Sequence, residues 1–149
     1  EYFLDDHFDE LLHNNVPLLT IKDNLVLVEF SFVTPPMNFK EKLFNLQIKG
    51  YQPILAHPER YSYFAQRKGI FDELRTAGCL FQLNILSLTG YYGKGALELA
   101  KHFIRKKMVS FLGTDLHHER HLHALRSAGP AMRSVKELLD SGTILNSSF

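Results

Sequence analysis

The feature that most constrains this chain is an alternation: short runs of branched and aromatic residues take turns with amphipathic stretches of helical period. LVLVEFSFV (25–33), PILAH (53–57), CLFQLNI (79–85) and MVSFLG (108–113) are short and mostly apolar, which predicts buried strands. The opening EYFLDDHFDELL puts Phe3, Leu4, Phe8, Leu11 and Leu12 at helical spacing, and Asn14, Asn15 and Pro17 stop it. Asn38 and Glu41 read as a capping pair for a helix carrying Phe39, Leu43, Phe44 and Ile48, which Gly50 ends. Residues 61–77 predict a further helix, weakened at Gly69, and ALELAKHFIRKK (96–107) another with a basic last turn. One or two short helical pieces, broken at Gly129-Pro130, complete the chain.

Strands alternating with helices imply a parallel sheet with the helices outside it. An open doubly wound sheet and a (β/α) barrel both satisfy that pattern. Four strands are too few to close a barrel, which takes ~250 residues for eight units. The chain has 149 residues and opens without Met, so residues 1–149 are expected to form one domain that lacks its N-terminal strands.

Composition narrows the function classes. Seventeen Lys+Arg against 16 Asp+Glu leave a formal charge of +1, which argues against a nucleic-acid grip built on bulk electrostatics. No apolar run approaches the roughly 20 residues that span a bilayer, so membrane insertion is not expected. The single cysteine, Cys79, excludes an internal disulfide and fits a reducing, cytoplasmic setting. Position 85 is Ile rather than Arg, so Cys79 does not open a cysteine-nucleophile phosphatase loop and reads as a small core residue. GYYGKG lacks the spacing and the following Ser or Thr of a P-loop.

The candidate chemistry gathers at strand ends. Glu29 lies in an apolar strand, where an ionised carboxylate needs a cation, strong donors or an exposed strand end. His57 closes PILAH in the run AHPER, either as a hydrogen-bonded edge residue or as a metal ligand. Asp115 and His117 follow the last strand, and in an extended segment residues two apart share a side. Coincidence of place favours metal binding, because ligands collect at the C-terminal edge of parallel sheets. Oxygen and imidazole donors without thiolate suit Mn, Fe, Zn or Mg. Arg60 and Arg120, three residues after His57 and His117, are candidates for directing guanidinium groups at a phosphate. His7, His13 and His102 read as solvated helix residues, whereas His118, His121 and His123 crowd the His117 loop and one could add a ligand.

GYQPILAHPERY, LVLVEFSF, FQLNILSLTGYYG and GTDLHH together resemble the polymerase-and-histidinol-phosphatase (PHP) superfamily. Within it they are most similar to the bacterial capsular and exopolysaccharide tyrosine phosphatases. The resemblance implies part of a distorted (β/α)7 barrel with up to three divalent metals, manganese first among them. It implies Glu29, His57, Asp115 and His117 as metal ligands and Arg60, with Arg120, as phosphate contacts. The family's opening His-x-His strand and two further ligands have no counterpart here, so about half of the metal shell is expected. The implied activity is metal-dependent hydrolysis of phosphotyrosine on a bacterial tyrosine kinase. The alternatives are a small-molecule phosphatase of the histidinol-phosphate type and a non-catalytic domain that serves in binding. A half-barrel would also expose sheet edge, so self-association of the isolated chain is expected.

Overall fold

The computed structural model describes residues 1–148. Among the described residues five strands form one parallel sheet: β1 (Tyr2–Phe3), β2 (Leu25–Glu29), β3 (Gln52–Ala56), β4 (Leu80–Asn84) and β5 (Phe111–Gly113). Their order across the sheet is the order of the chain. Doubly wound sheets reverse direction at a switch point, and among the described residues this sheet has none. Successive crossovers of one hand then keep the helices on one side, which is the wall of a (β/α) barrel.

The helices are α1 (Asp6–His13), α2 (Phe39–Ile48), α3 (Gly69–Thr76), α4 (Lys94–Arg105), α5 (Glu119–Arg126) and α6 (Gly129–Asp140). None of them is long and apolar enough to cross a membrane.

The first segment corrects the sequence expectation. Asp5 accepts a hydrogen bond from the Phe8 amide at 2.9 Å and so fixes the start of α1. Residues ahead of that cap are free to extend, and Tyr2 and Phe3 pair with Val28 and Glu29 to make a fifth strand. Asn38 likewise does not cap α2 through its side chain; it sits in the left-handed region at φ 53°. Residues 61–77 are not one helix. His57 and Pro58 turn the chain into two short 3-10 segments, Pro58–Arg60 and Ser62–Phe64, before α3 begins at Gly69. Pro130 lies in the first turn of α6, where its missing N–H costs nothing, so Gly129-Pro130 starts a helix.

The core lies between sheet and helices. Val26, Val28, Ile54, Leu55 and Phe81 are fully buried, and Phe103 of α4 meets Phe71 of α3 edge-on at 4.7 Å. Lys42 is buried on α2, where Asp9 and the Asp5 carbonyl oxygen take its ammonium. Beyond β5, the Asn146 side chain pairs with both backbone groups of Leu112, at 2.8 and 3.0 Å. A side chain there does the work of another strand and blunts that edge.

Candidate functional site

Because all five strands are parallel, their C-terminal ends share one edge, and the chain turns sharply there. β2 ends at Glu29, β3 leads into His57, β4 ends at Asn84, and Asp115 follows β5 by two residues.

The first group is built around His57, which is 3% exposed. Its Nε2 lies 3.2 Å from Glu1 Oε1 and 3.4 Å from Glu29 Oε2. The three donor atoms lie within 4.8 Å of one another. Burial alone would lower the imidazole pKa, but hydrogen bonds to Glu1 and Glu29 outweigh it and raise it to about 9. Two carboxylates thus enclose a buried nitrogen and call for a cation. A proton can fill that role, and so can a divalent metal, which one imidazole and two carboxylates suit. His57 Nδ1 is buried and has no hydrogen-bond partner among the described residues.

The second group is built around Asp115. Its Oδ2 accepts from Arg60 Nη1 at 2.6 Å, and its Oδ1 lies 2.6 Å from His117 Nε2. His121 Nδ1 lies 3.0 Å from the Asp115 carbonyl oxygen. The Arg60 guanidinium is flanked by two rings, with Phe32 at 4.3 Å and Tyr92 at 4.1 Å. Phe32 also lies 5.2 Å from the His57 ring, so one side chain touches both groups.

Below them, Glu59 is 1% exposed. Its Oε1 accepts from the Asn84 amide at 3.1 Å and from the Ser87 hydroxyl at 2.6 Å, while burial pushes its pKa up. Glu59 therefore ties the turn after β3 to the loop after β4 that carries Tyr91 and Tyr92. The other carboxylate oxygen, Oε2, is buried without a hydrogen-bond partner among the described residues.

The structure thus joins Glu29 to His57, and Asp115 to His117 and Arg60. Arg120 stands exposed on the first turn of α5, and its guanidinium makes no hydrogen bond or ion pair with the described residues. His121 is drawn in, the His118 ring lies tilted against it at 5.3 Å, and His123 is not brought to the site among the described residues. Cys79 is buried, and its thiol is pushed up to about 12, as suits a core residue. Sequence reasoning missed Glu1, Glu59, Phe32 and Tyr92. Glu1 had one usable signal, an acid directly before two aromatic residues that can extend. Phe32 was read as part of a strand that in fact ends at Glu29.

The family described as "Capsular polysaccharide synthesis, CpsB/CapC" matches residues 1–143. The chain is 30% identical over 101 residues to the tyrosine-protein phosphatase YwqE of Bacillus subtilis (strain 168), covering 67% of this chain and 40% of that protein. It is 26% identical over 143 residues to the tyrosine-protein phosphatase CpsB of Streptococcus pneumoniae, covering 93% of this chain and 56% of the relative. A solved structure from work on YwqE and CpsB, titled "unique metal-dependent tyrosine phosphatases", superposes with a TM-score of 0.65 at 23% identity. That superposition covers 91% of this chain and 61% of the other and supports the same fold. The chain thus spans 40% to 56% of the length of these curated relatives.

Proposed function

This chain belongs to the CpsB/CapC family of capsular polysaccharide synthesis, and from that premise we propose that it carries metal- and phosphate-binding groups of a metal-dependent protein-tyrosine phosphatase. The observation that carries the reading is Arg60, held by Asp115 at 2.6 Å and flanked by two rings beside the Glu1, Glu29 and His57 cluster. A fixed guanidinium next to a cation-demanding pocket is an arrangement that suits a phosphomonoester dianion.

Glu1, Glu29 and His57 would hold one divalent ion, with manganese the first choice, and Asp115 with His117 would contribute to the same cluster. When bound, such ions lower the pKa of a water and stabilise charge on the phosphoryl oxygens. Arg60 would bind two non-bridging oxygens and orient the phosphorus for in-line attack. Phe32 and Tyr92 would keep the guanidinium in place and limit water around it. Asp115 would hold Arg60 through Oδ2, and its Oδ1 and the His117 imidazole, paired with each other at 2.6 Å, would give up that pairing to ligate the metal. The substrate in this reading is phosphotyrosine on a bacterial tyrosine kinase of capsule export, met in the cytoplasm.

The test is hydrolysis of a phosphotyrosine peptide by the purified protein with MnCl2 and after complete chelation. Loss on chelation, and a fall of orders of magnitude in His57→Ala with circular dichroism unchanged, are expected. An undiminished rate after chelation would sink the reading.

A further inference from the structure

Phe32 stands out among the large apolar residues because it is 43% exposed and yet firmly placed. On one side of it, the Phe30 amide donates to the Tyr61 hydroxyl at 2.9 Å, and that hydroxyl donates to the Ala56 carbonyl oxygen at 2.9 Å. Next to it, the Ser31 carbonyl oxygen accepts from the Tyr63 hydroxyl at 2.8 Å. Two tyrosines of the segment after AHPER therefore pin the backbone that presents Phe32. A pinned, half-exposed ring loses little entropy when it meets a ligand.

We propose that Phe32 is a specificity-determining residue that favours phosphomonoesters of phenols over those of alkyl alcohols. The inference rests on the reading that Arg60 holds the phosphate. The Phe32 ring lies 4.3 Å from the Arg60 guanidinium and 5.2 Å from the His57 ring. A group esterified to a phosphate at Arg60 therefore emerges beside that ring. Tyr92, the other ring on Arg60, is half-buried, and its hydroxyl accepts from Asn84 at 3.3 Å, so it serves the guanidinium. Tyr91 is 42% exposed but packs on Tyr92 and His121, on the Asp115 side. Phe32 is the ring that touches both halves of the site and still offers open surface. An aromatic leaving group can meet it edge-to-face or offset, and an alkyl chain lacks the ring quadrupole for that pairing.

The experiment is calorimetric titration of the 149-residue chain in MnCl2 with phenylphosphonate and propylphosphonate, whose C–P bonds are not hydrolysed. The expected result is phenylphosphonate bound roughly three- to tenfold more tightly, the scale of one aromatic pair. Phe32→Leu should bring the ratio close to one, and Phe32→Tyr should restore it. If Phe32→Leu weakens both ligands in proportion, Phe32 only supports Arg60 and the proposal falls. Equal affinity of the unaltered chain for both ligands also overturns it, while leaving the phosphate site standing. If the unaltered chain binds neither, the phosphate site itself is wrong and the proposal goes with it. A measurement without variants gives the same decision: with diamagnetic ZnCl2 in place of paramagnetic MnCl2, nuclear Overhauser contacts between the phenyl protons and the Phe32 ring are expected, and their absence from the bound complex overturns the proposal.

Discussion

In excess EDTA the protein should become less stable as the solution turns alkaline; His57 contributes to that slope, and Glu59, whose pKa burial also raises, acts in the same sense. His57 titrates at about 9 in the fold against 6.5 for an ordinary histidine, because Glu1 and Glu29 accept from it and outweigh its burial. A folded pKa above the unfolded one means that the protonated form favours the fold. The contribution is complete below pH 6.5 and is lost as pH rises through 9. The gap corresponds to about 3 kcal/mol, a sizeable part of the 5–15 kcal/mol typical of a domain. Urea unfolding in excess EDTA, at points from below 6.5 to above 9, should show the midpoint falling with an unchanged m-value. His102 works in the opposite sense: burial and then Lys68, Lys106 and Arg105 lower its pKa, so its contribution is lost on acidification, below this window. Glu29→Gln removes one of the two charged acceptors and should flatten the slope. Near pH 7.5, adding MnCl2 should expel about one proton per ion bound, readable from titrations in buffers of different ionisation enthalpy. Stability that is flat or rising across the window would refute the account of two carboxylates closing on a protonated imidazole.

Arg60→Lys keeps the charge but loses the planar fork between two rings, and kcat/KM for a phosphotyrosine peptide should fall roughly 10²-fold, as when one oxyanion donor is removed. Glu59→Leu strands the Asn84 amide and the Ser87 hydroxyl and should cost about 2 kcal/mol in urea unfolding, whereas Glu59→Gln keeps an acceptor and should cost under ~1 kcal/mol. Lys42→Met leaves Asp9 and the Asp5 carbonyl oxygen without their cation and should cost about 1–3 kcal/mol, held to that range because Asp9 is 46% exposed. Phe103→Ala, in a ring cluster with Phe71 and Phe81, should lower stability by about 3–5 kcal/mol.

The alternation of period two and period 3.6 made β2 to β5 and α2 and α4 legible, since each buries a recognisable apolar set. β1 was not legible, because a two-residue strand has no periodicity and exists only through the ladder that β2 offers. The helix expected over 61–77 failed for a related reason. Tyr61 and Phe64 face the core at a spacing that a helix also uses, but Pro58 and the His57 backbone impose 3-10 turns. Glu29, His57, Asp115 and His117 were readable because polar residues at the ends of apolar runs need a reason to be there. Glu59 was not readable, because a buried acid beside a surface-type Arg in AHPER looks like one more charged turn residue. Its role depends on Asn84 and Ser87, which lie 25 and 28 residues further on.

The backbone at His57 explains how the site closes where strand parity says it should not. Val28 pairs with Leu55, so one step further on Glu29 stands beside Ala56, and paired residues of parallel strands point to the same side. If β3 continued extended, His57 would point to the opposite face from Glu29. Instead His57 adopts φ 35°, ψ 51°, which abolishes the alternation and brings Nε2 within 3.4 Å of Glu29. Asp115 does the same at φ 47° after β5. The extended spacing that predicted a shared side for Asp115 and His117 is therefore absent, and their 2.6 Å contact comes from the bend. Non-glycine residues in this region cost on the order of 1–3 kcal/mol each. A glycine at either position would relieve that cost and lose the imidazole or the carboxylate. The same region is occupied at Asn15, Asp23, Asn38 and Lys107, so what sets His57 and Asp115 apart is that their bends turn a side chain onto charged partners, His57 onto Glu1 and Glu29 and Asp115 onto Arg60 and His117.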